Sequence, residues 1–260
     1  MKASKGAIRP ASKVKVRLAI PDLHYPFVDK AAVARCLKHV AEIKPDGVDL
    51  IGDGIDAYPA SRFDKNPARK HTLQDEIDDY REFLEQLREA APAADIKYSE
   101  GNHESRLKRM LWGNAKAFAG LRNLAIPELL KLADLKISYH ETGKPYRIGS
   151  MWYMHGEVIR KHGGSTARTT ADRVNGSVIV GHSHRMGWVP TASWTGNRDA
   201  YEIGHLSDWR KLDYVSGPPQ WQQGWAVVYL GEKWHDVSFV KAVHHPGRHG
   251  TSYVFQGGLI

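Results

Sequence analysis

The sequence predicts an α/β fold, and three observations lead there. Apolar strand-like runs alternate with amphipathic helical patterns through the first two thirds of the chain. Several of those runs end in glycine beside Asp, Asn or His, at the strand end where open α/β sheets collect their ligand sites. From Met186 onward the chain turns β-rich, with Trp188, Trp194, Trp209, Trp221, Trp225 and Trp234 concentrated there. A length of 260 residues fits one large domain over 14–260, behind a flexible basic arm over 1–13.

The arm carries Lys2, Lys5, Arg9 and Lys13 and no acidic residue. It reads either as a contact for a phosphate backbone or as a solvated terminus. Residues 14–20 follow as a strand. On an extended segment, residues two apart project to one side, so Asp22 and His24 at its end can bind one ion together. Asp29 is set to cap a helix over 30–41, in which Cys36 is a packed thiol. Residues 47–51 form the second strand and run into Gly52-Asp53-Gly54, where the glycines permit a sharp turn. Asp53 has two oxygens and can bridge two ions. Asp56 either orients a histidine ligand or is an ordinary turn aspartate or helix cap.

Residues 58–71 read as a polar loop over the site, with Arg62, Lys65, Arg69 and Lys70. A charged amphipathic helix spans 72–90, with Leu73, Ile77, Tyr80, Phe83, Leu84 and Leu87 on its apolar face. The third strand, 95–98, leads to Gly101-Asn102-His103-Glu104. A glycine, an amide, an imidazole and a carboxylate make a poor core but suit a metal site with a proton donor beside it. The next helix opens at Arg106, which either clamps a phosphate oxygen or pairs with Glu104 at the surface. Lys108 and Arg109 are read as exposed.

A short helix is expected over 121–135, with Pro127 near its first turn. Strands follow over 136–140, 146–149 and 151–155, the last ending at His155-Gly156; His140 is read as structural. A loop and helix over 163–175 precede a strand over 176–180, which closes on Gly181-His182-Ser183-His184. Strands are also expected at 188–189, 225–230 and 237–243. Trp194, Trp209 and Trp221 fall in polar loops and are read as packing residues rather than stacking platforms. His205, His244, His245 and His249 match no motif and are not counted as ligands.

Composition narrows the function. The hydrophobic share of 42% and charged share of 25% are those of a soluble globular protein. No apolar run approaches the ~20 residues that span a bilayer, so no membrane association is expected. The first ten residues lack the apolar core of a signal peptide, and a cytoplasmic address is the default. The single cysteine excludes an internal disulfide and leaves any metal site to His, Asp, Asn and Glu. A formal charge of +8 suits an anionic partner, with nucleic acid the obvious candidate. Nothing in the sequence assigns an oligomeric state.

Five blocks stand in order: Asp22-x-His24, Gly52-Asp53-x-x-Asp56, Gly101-Asn102-His103-Glu104, Met154-His155-Gly156 and Gly181-His182-Ser183-His184. In this order and spacing the set resembles the calcineurin-like metallophosphoesterase superfamily. Any one block is weak evidence; five in sequence are specific. The resemblance covers Asp22 to His184 and leaves out the arm and most of the chain after Arg185.

That resemblance implies a four-layer α/β/β/α sandwich of two mixed β-sheets flanked by helices. It implies dinuclear metal-dependent hydrolysis of phosphate esters by metal-bound hydroxide, with no covalent intermediate. Asp22, His24 and His184 would hold one ion, Asn102, His155 and His182 the other, and Asp53 would bridge them. His103 would donate a proton to the leaving oxygen or stabilise the transition state. The mixed nitrogen and oxygen donors favour two divalent transition-metal ions, Mn, Fe, Zn, Ni or Co, over magnesium. After Gly52-Asp53 the chain reads Gly-Ile-Asp-Ala, so the Asp-Arg-Gly ending of the Ser/Thr protein phosphatase branch is absent. The basic balance and the loop arginines and tryptophans favour a phosphodiesterase, with nuclease action on nucleic acid as one form of it. A phosphomonoesterase is the rival, and an inactive binding protein on the same fold the third reading.

Overall fold

Leu18 and Ile20 leave the first strand on one side and Ala19 on the other, and all three are fully buried. A strand buried on both faces belongs inside a layered sheet. The computed structural model describes residues 14–193, 196–244 and 251–260. The basic arm expected over 1–13 lies outside the described residues, as do Trp194, His245, His249 and the side chain of His244.

In the first sheet β1 (Lys15–Ile20), β2 (Gly47–Leu50), β3 (Asp95–Ser99) and β4 (Ile137–His140) run parallel in that order. The sheet continues antiparallel from β1 through β10 (Gly224–Leu230), β11 (His235–His244), β12 (Thr251–Phe255) and β13 (Gly258–Leu259). The second sheet is ordered β5 (Tyr146–Ile148), β6 (Met151–Tyr153), β7 (Ser177–Val180), β9 (Gly196–Ile203), β8 (Met186–Ser193). Within it β6, β7 and β9 are parallel, and β5 and β8 pair antiparallel at the edges.

Strand alternation then sorts the core into three sets. Leu18, Ile20, Val48, Leu50 and Val227 face α1 (Lys30–Ile43) and α2 (Leu73–Ala90). Ala19, Tyr153, Ile179, Ile203, Ala226 and Val228 fill the space between the sheets. Val178, Val180 and Ala200 meet Ala167 and Ala171 of α5 (Ser165–Val174) on the far side. The result is the four-layer α/β/β/α sandwich. Asp29 caps α1 by accepting from the amides of Ala31 and Ala32. Thr72 and Asp75 form a reciprocal capping box on α2. Between the sheets, Arg17 is bound to Asp49 at 2.7 and 2.9 Å, and Tyr146 donates to the same carboxylate at 2.8 Å. Among the described residues no helix is long and apolar enough to cross a membrane.

Two expectations need correction. The helix expected over 121–135 is reduced to a 3-10 turn (Arg122–Leu124) and the single turn α4 (Ile126–Leu129). Pro127 can start that turn but supplies no amide donor, and Lys131 adopts a left-handed φ of 51° that ends it. The strand at 188–189 is part of β8, the first arm of a hairpin with β9. The first residues of β9, Gly196 to Asp199, are polar because that end is exposed or half-exposed, which hides the strand from an apolar-run reading.

Candidate metal centre

The parallel strands deliver the candidate residues, but the turns after them aim the side chains. Asp22 (φ 46°), His24 (54°), Asp53 (50°), His182 (66°) and His184 (57°) all adopt left-handed backbone conformations. Such positions cost a non-glycine residue about 1–3 kcal/mol and cluster where function over-determines the backbone. The extended Asp22-x-His24 geometry is therefore corrected: β1 ends at Ile20, and the pair converges through a left-handed turn. Close backbone approach completes the cradle. A Cβ on Gly101 would collide with Asp53 Oδ1, and one on Gly181 with Asp22 Oδ2.

Among the described residues, three buried or half-buried groups have donor atoms close enough to hold a metal ion: Asp22, His24 and His184; His24, Asp53 and His103; and Asp53, His155 and His182. In the first, His184 Nε2 lies 2.9 Å from His24 Nε2 and 3.3 Å from Asp22 Oδ1. In the third, His155 Nε2 lies 3.2 Å from Asp53 Oδ2, 3.1 Å from His182 Nδ1 and 3.0 Å from Asn102 Oδ1. Asp53 Oδ2 connects the groups, standing 3.8 Å from His24 Nε2 and 3.8 Å from His103 Nε2. All seven residues expected as ligands thus meet in one place, with His103 beside them.

The surroundings fix which ring nitrogen faces inward. His155 Nδ1 is 2.7 Å from the carbonyl of Ile51, which can only accept, so Nδ1 carries a hydrogen and Nε2 is the atom that faces the centre. Asp56 Oδ2 takes the same role for His24 Nδ1 at 3.1 Å. His24 Nε2 and His184 Nε2 face each other at 2.9 Å, a spacing that suits two donors to one shared cation.

Charge follows from burial and from the neighbours. Burial pushes the Asp22 carboxyl up to about 6. Asp53 is equally buried, yet His103 and His155 hold it well below the ordinary carboxylate range. Burial works against a charged His155, but Asp53 lifts its imidazole to about 10. Burial, and then the charge on His155, drives His182 down to about 4. Burial and His24 push His184 well below the usual histidine value. Neutral His182 and His184 keep lone pairs for a metal.

Arg106 departs from its surface alternative. It is partly buried and pairs with Asp56 at 2.9 Å, not with Glu104, and its Nη2 lies 3.1 Å from His103 Nε2. Asp56 thus binds His24, His103 and Arg106 together, since His103 Nδ1 donates to its carbonyl at 2.9 Å.

From sequence Glu104 entered only as part of the Gly101–Glu104 block and as a surface partner for Arg106, and the structure gives it a different, buried role. Fully buried, it accepts from the amides of Asp53 (3.1 Å), Gly54 (2.6 Å) and Gly101 (2.8 Å) and from the Tyr98 hydroxyl (2.5 Å). It ties the loop after β2 to the loop after β3. Glu104→Ala would orphan these donors in a dry core, at a cost of about 3 kcal/mol or more. The expected result is a fall of roughly 10 °C in the thermal midpoint; an unchanged midpoint in a calorimetric scan would contradict this role. Trp221 and His205 were likewise not placed at the site. Trp221 packs edge-on against His184 at 4.1 Å and His205 stacks on it at 5.2 Å, so together they wall one side.

No family model matches the chain. Among curated proteins it is similar to the Gene 54 protein of Mycobacterium phage L5, 26% identical over 234 residues, which are 81% of this chain and 87% of that protein. The Gene 54 protein of Mycobacterium phage D29 is 25% identical over the same length. Among solved structures, Vps29 of Chaetomium thermophilum aligns over 93% of this chain and 96% of its own, with a TM-score of 0.53 and 11% identity. That likeness is one of fold: two mixed β-sheets packed face to face and flanked by helices.

Proposed function

We propose that this protein is a dinuclear metal-dependent phosphodiesterase of the calcineurin-like metallophosphoesterase type. The observation that carries the reading is the position of Asp53 Oδ2, in reach of His24 on one side and His155 on the other. Asp22, His24 and His184 would hold one ion, Asn102, His155 and His182 the second, with Asp53 shared. When bound, two divalent cations supply Lewis-acid stabilisation of the phosphate oxygens and acidify the attacking water.

The remaining work falls to the chain itself. His103 is fixed by its Nδ1–H donating to Asp56, which leaves Nε2 facing the centre. With a second proton on Nε2, the imidazolium would hand that proton to the leaving oxygen and return to the neutral Nδ1–H form. The guanidinium of Arg106 stands beside Nε2 and would donate to a non-bridging phosphate oxygen. Trp221 and His205 keep water from the back of His184.

A paired assay on metal-reconstituted protein tests this reading, with bis(p-nitrophenyl) phosphate in one arm and p-nitrophenyl phosphate in the other. Faster, metal-dependent cleavage of the diester is expected. Strong monoester cleavage with an inert diester would replace the reading with a phosphomonoesterase. Inertness of both in metal-loaded protein would leave a binding protein.

A further inference from the structure

Beside the metal centre runs a groove of about 570 Å³, lined among others by Arg62, Phe63, Lys65, Asn102, Arg106 and Arg109. Two of these also belong to the centre: Asn102, which touches His155, and Arg106, which touches His103. The groove therefore opens onto the place where the scissile phosphate would sit. No acidic side chain lines it. Of its four cations, only Arg106 has a carboxylate partner among the described residues, Asp56. Arg109 donates to the carbonyl of Asn102, and Lys65 to that of Ser61, so both are anchored by neutral acceptors with their charge uncancelled.

Unpaired cations in a row answer to more than one phosphate. Phosphates alone do not account for Phe63, which is 65% exposed and flanked by Arg62, whose guanidinium lies 5.3 Å from its ring centre. A flat apolar face among cations suits an unpaired base, and stacking there contributes about 1–3 kcal/mol per base. A duplex keeps its bases stacked on one another and cannot offer that face.

We propose that the groove holds a single strand of nucleic acid leading away from the metal centre. One phosphodiester lies at the centre, its neighbours lie against Arg109, Lys65 and Arg62, and a base stacks on Phe63. This assignment rests on the diesterase reading, whose substrate class it names.

The test is a binding measurement rather than a rate. Full-length, metal-loaded protein is titrated into a fluorescein-labelled phosphorothioate oligothymidylate of roughly 12 nucleotides and followed by anisotropy. Salt is varied between about 50 and 200 mM. The double variant Arg62→Ala/Lys65→Ala is expected to bind roughly tenfold more weakly or worse, with a log–log salt slope shallower by about 1.4, or 0.7 per lost phosphate contact. Phe63→Ala is expected to lose roughly tenfold in affinity with the salt slope unchanged. Lys30→Ala/Lys38→Ala on α1, which removes the same charge, should track wild type. Absence of wild-type binding, groove variants that track the α1 variant, or equal affinity for a duplex of the same length would each overturn the proposal. Because nothing needs to turn over, an inactive protein still reports on the groove. Conversely, an active diesterase that ignores the strand overturns this inference alone.

Discussion

Replacing Asp53 by Asn is expected to lower metal-dependent diester cleavage by roughly 10³-fold or more, while the protein stays folded. The substitution changes little in shape. Asp53 Oδ1 accepts from the amide of His103 at 2.9 Å, and the remaining oxygen of an asparagine can still do so. Oδ2 is different, because it is the atom in reach of both His24 and His155. An amide nitrogen there offers two hydrogens where two cations need a lone pair. The two sites would then lose their common ligand and the negative charge between them. Hydrolysis of bis(p-nitrophenyl) phosphate, measured with the folded fraction checked by circular dichroism, reads this directly. Retention of much of the activity would point instead to a mononuclear hydrolase.

Removing His103 should cost about 10²–10⁴-fold, and the size should depend on the leaving group. p-Nitrophenolate leaves readily as an anion and gains little from a proton donor. An alkoxide, such as the sugar oxygen of a nucleic acid, needs the proton. His103→Ala should therefore harm an alkyl phosphodiester far more than the nitrophenyl one. Metal content separates the two roles that geometry permits for this ring, since it is also one of three donors in the group with His24 and Asp53. If His103 is the proton donor, the variant still binds two ions. Loss of one ion would make it a ligand.

The sequence revealed the site more fully than the scaffold. The strands that lead to Asp53, Asn102, His155 and His182 end at or near glycine, the one before Asp22 ends just before Pro21, and all five lie where the sequence reading puts them. What aims those side chains was not legible. Left-handed turns at Asp22, His24, His182 and His184 were not legible because glycine, the usual marker, is absent at those positions; aspartate and histidine enter that region more readily than most side chains, but too seldom to announce it. Glu104 was missed for a related reason. Its decisive partners are the backbone amides of Asp53 and Gly54, some fifty residues away, and backbone amides leave no side-chain pattern to read. The surface alternative for Arg106 set it against its sequence neighbour Glu104, whereas the fold pairs it with Asp56, fifty residues away. The second half of the chain was hardest, because strands such as β9 are polar at the end that faces water.

The most direct test of the account is to titrate metal-free protein with Mn²⁺ while following bis(p-nitrophenyl) phosphate hydrolysis and bound metal together. The account predicts two ions per chain, and a rate that stays low through the first equivalent and saturates at the second. Two bound ions with no hydrolysis, or full activity at one ion, would contradict it.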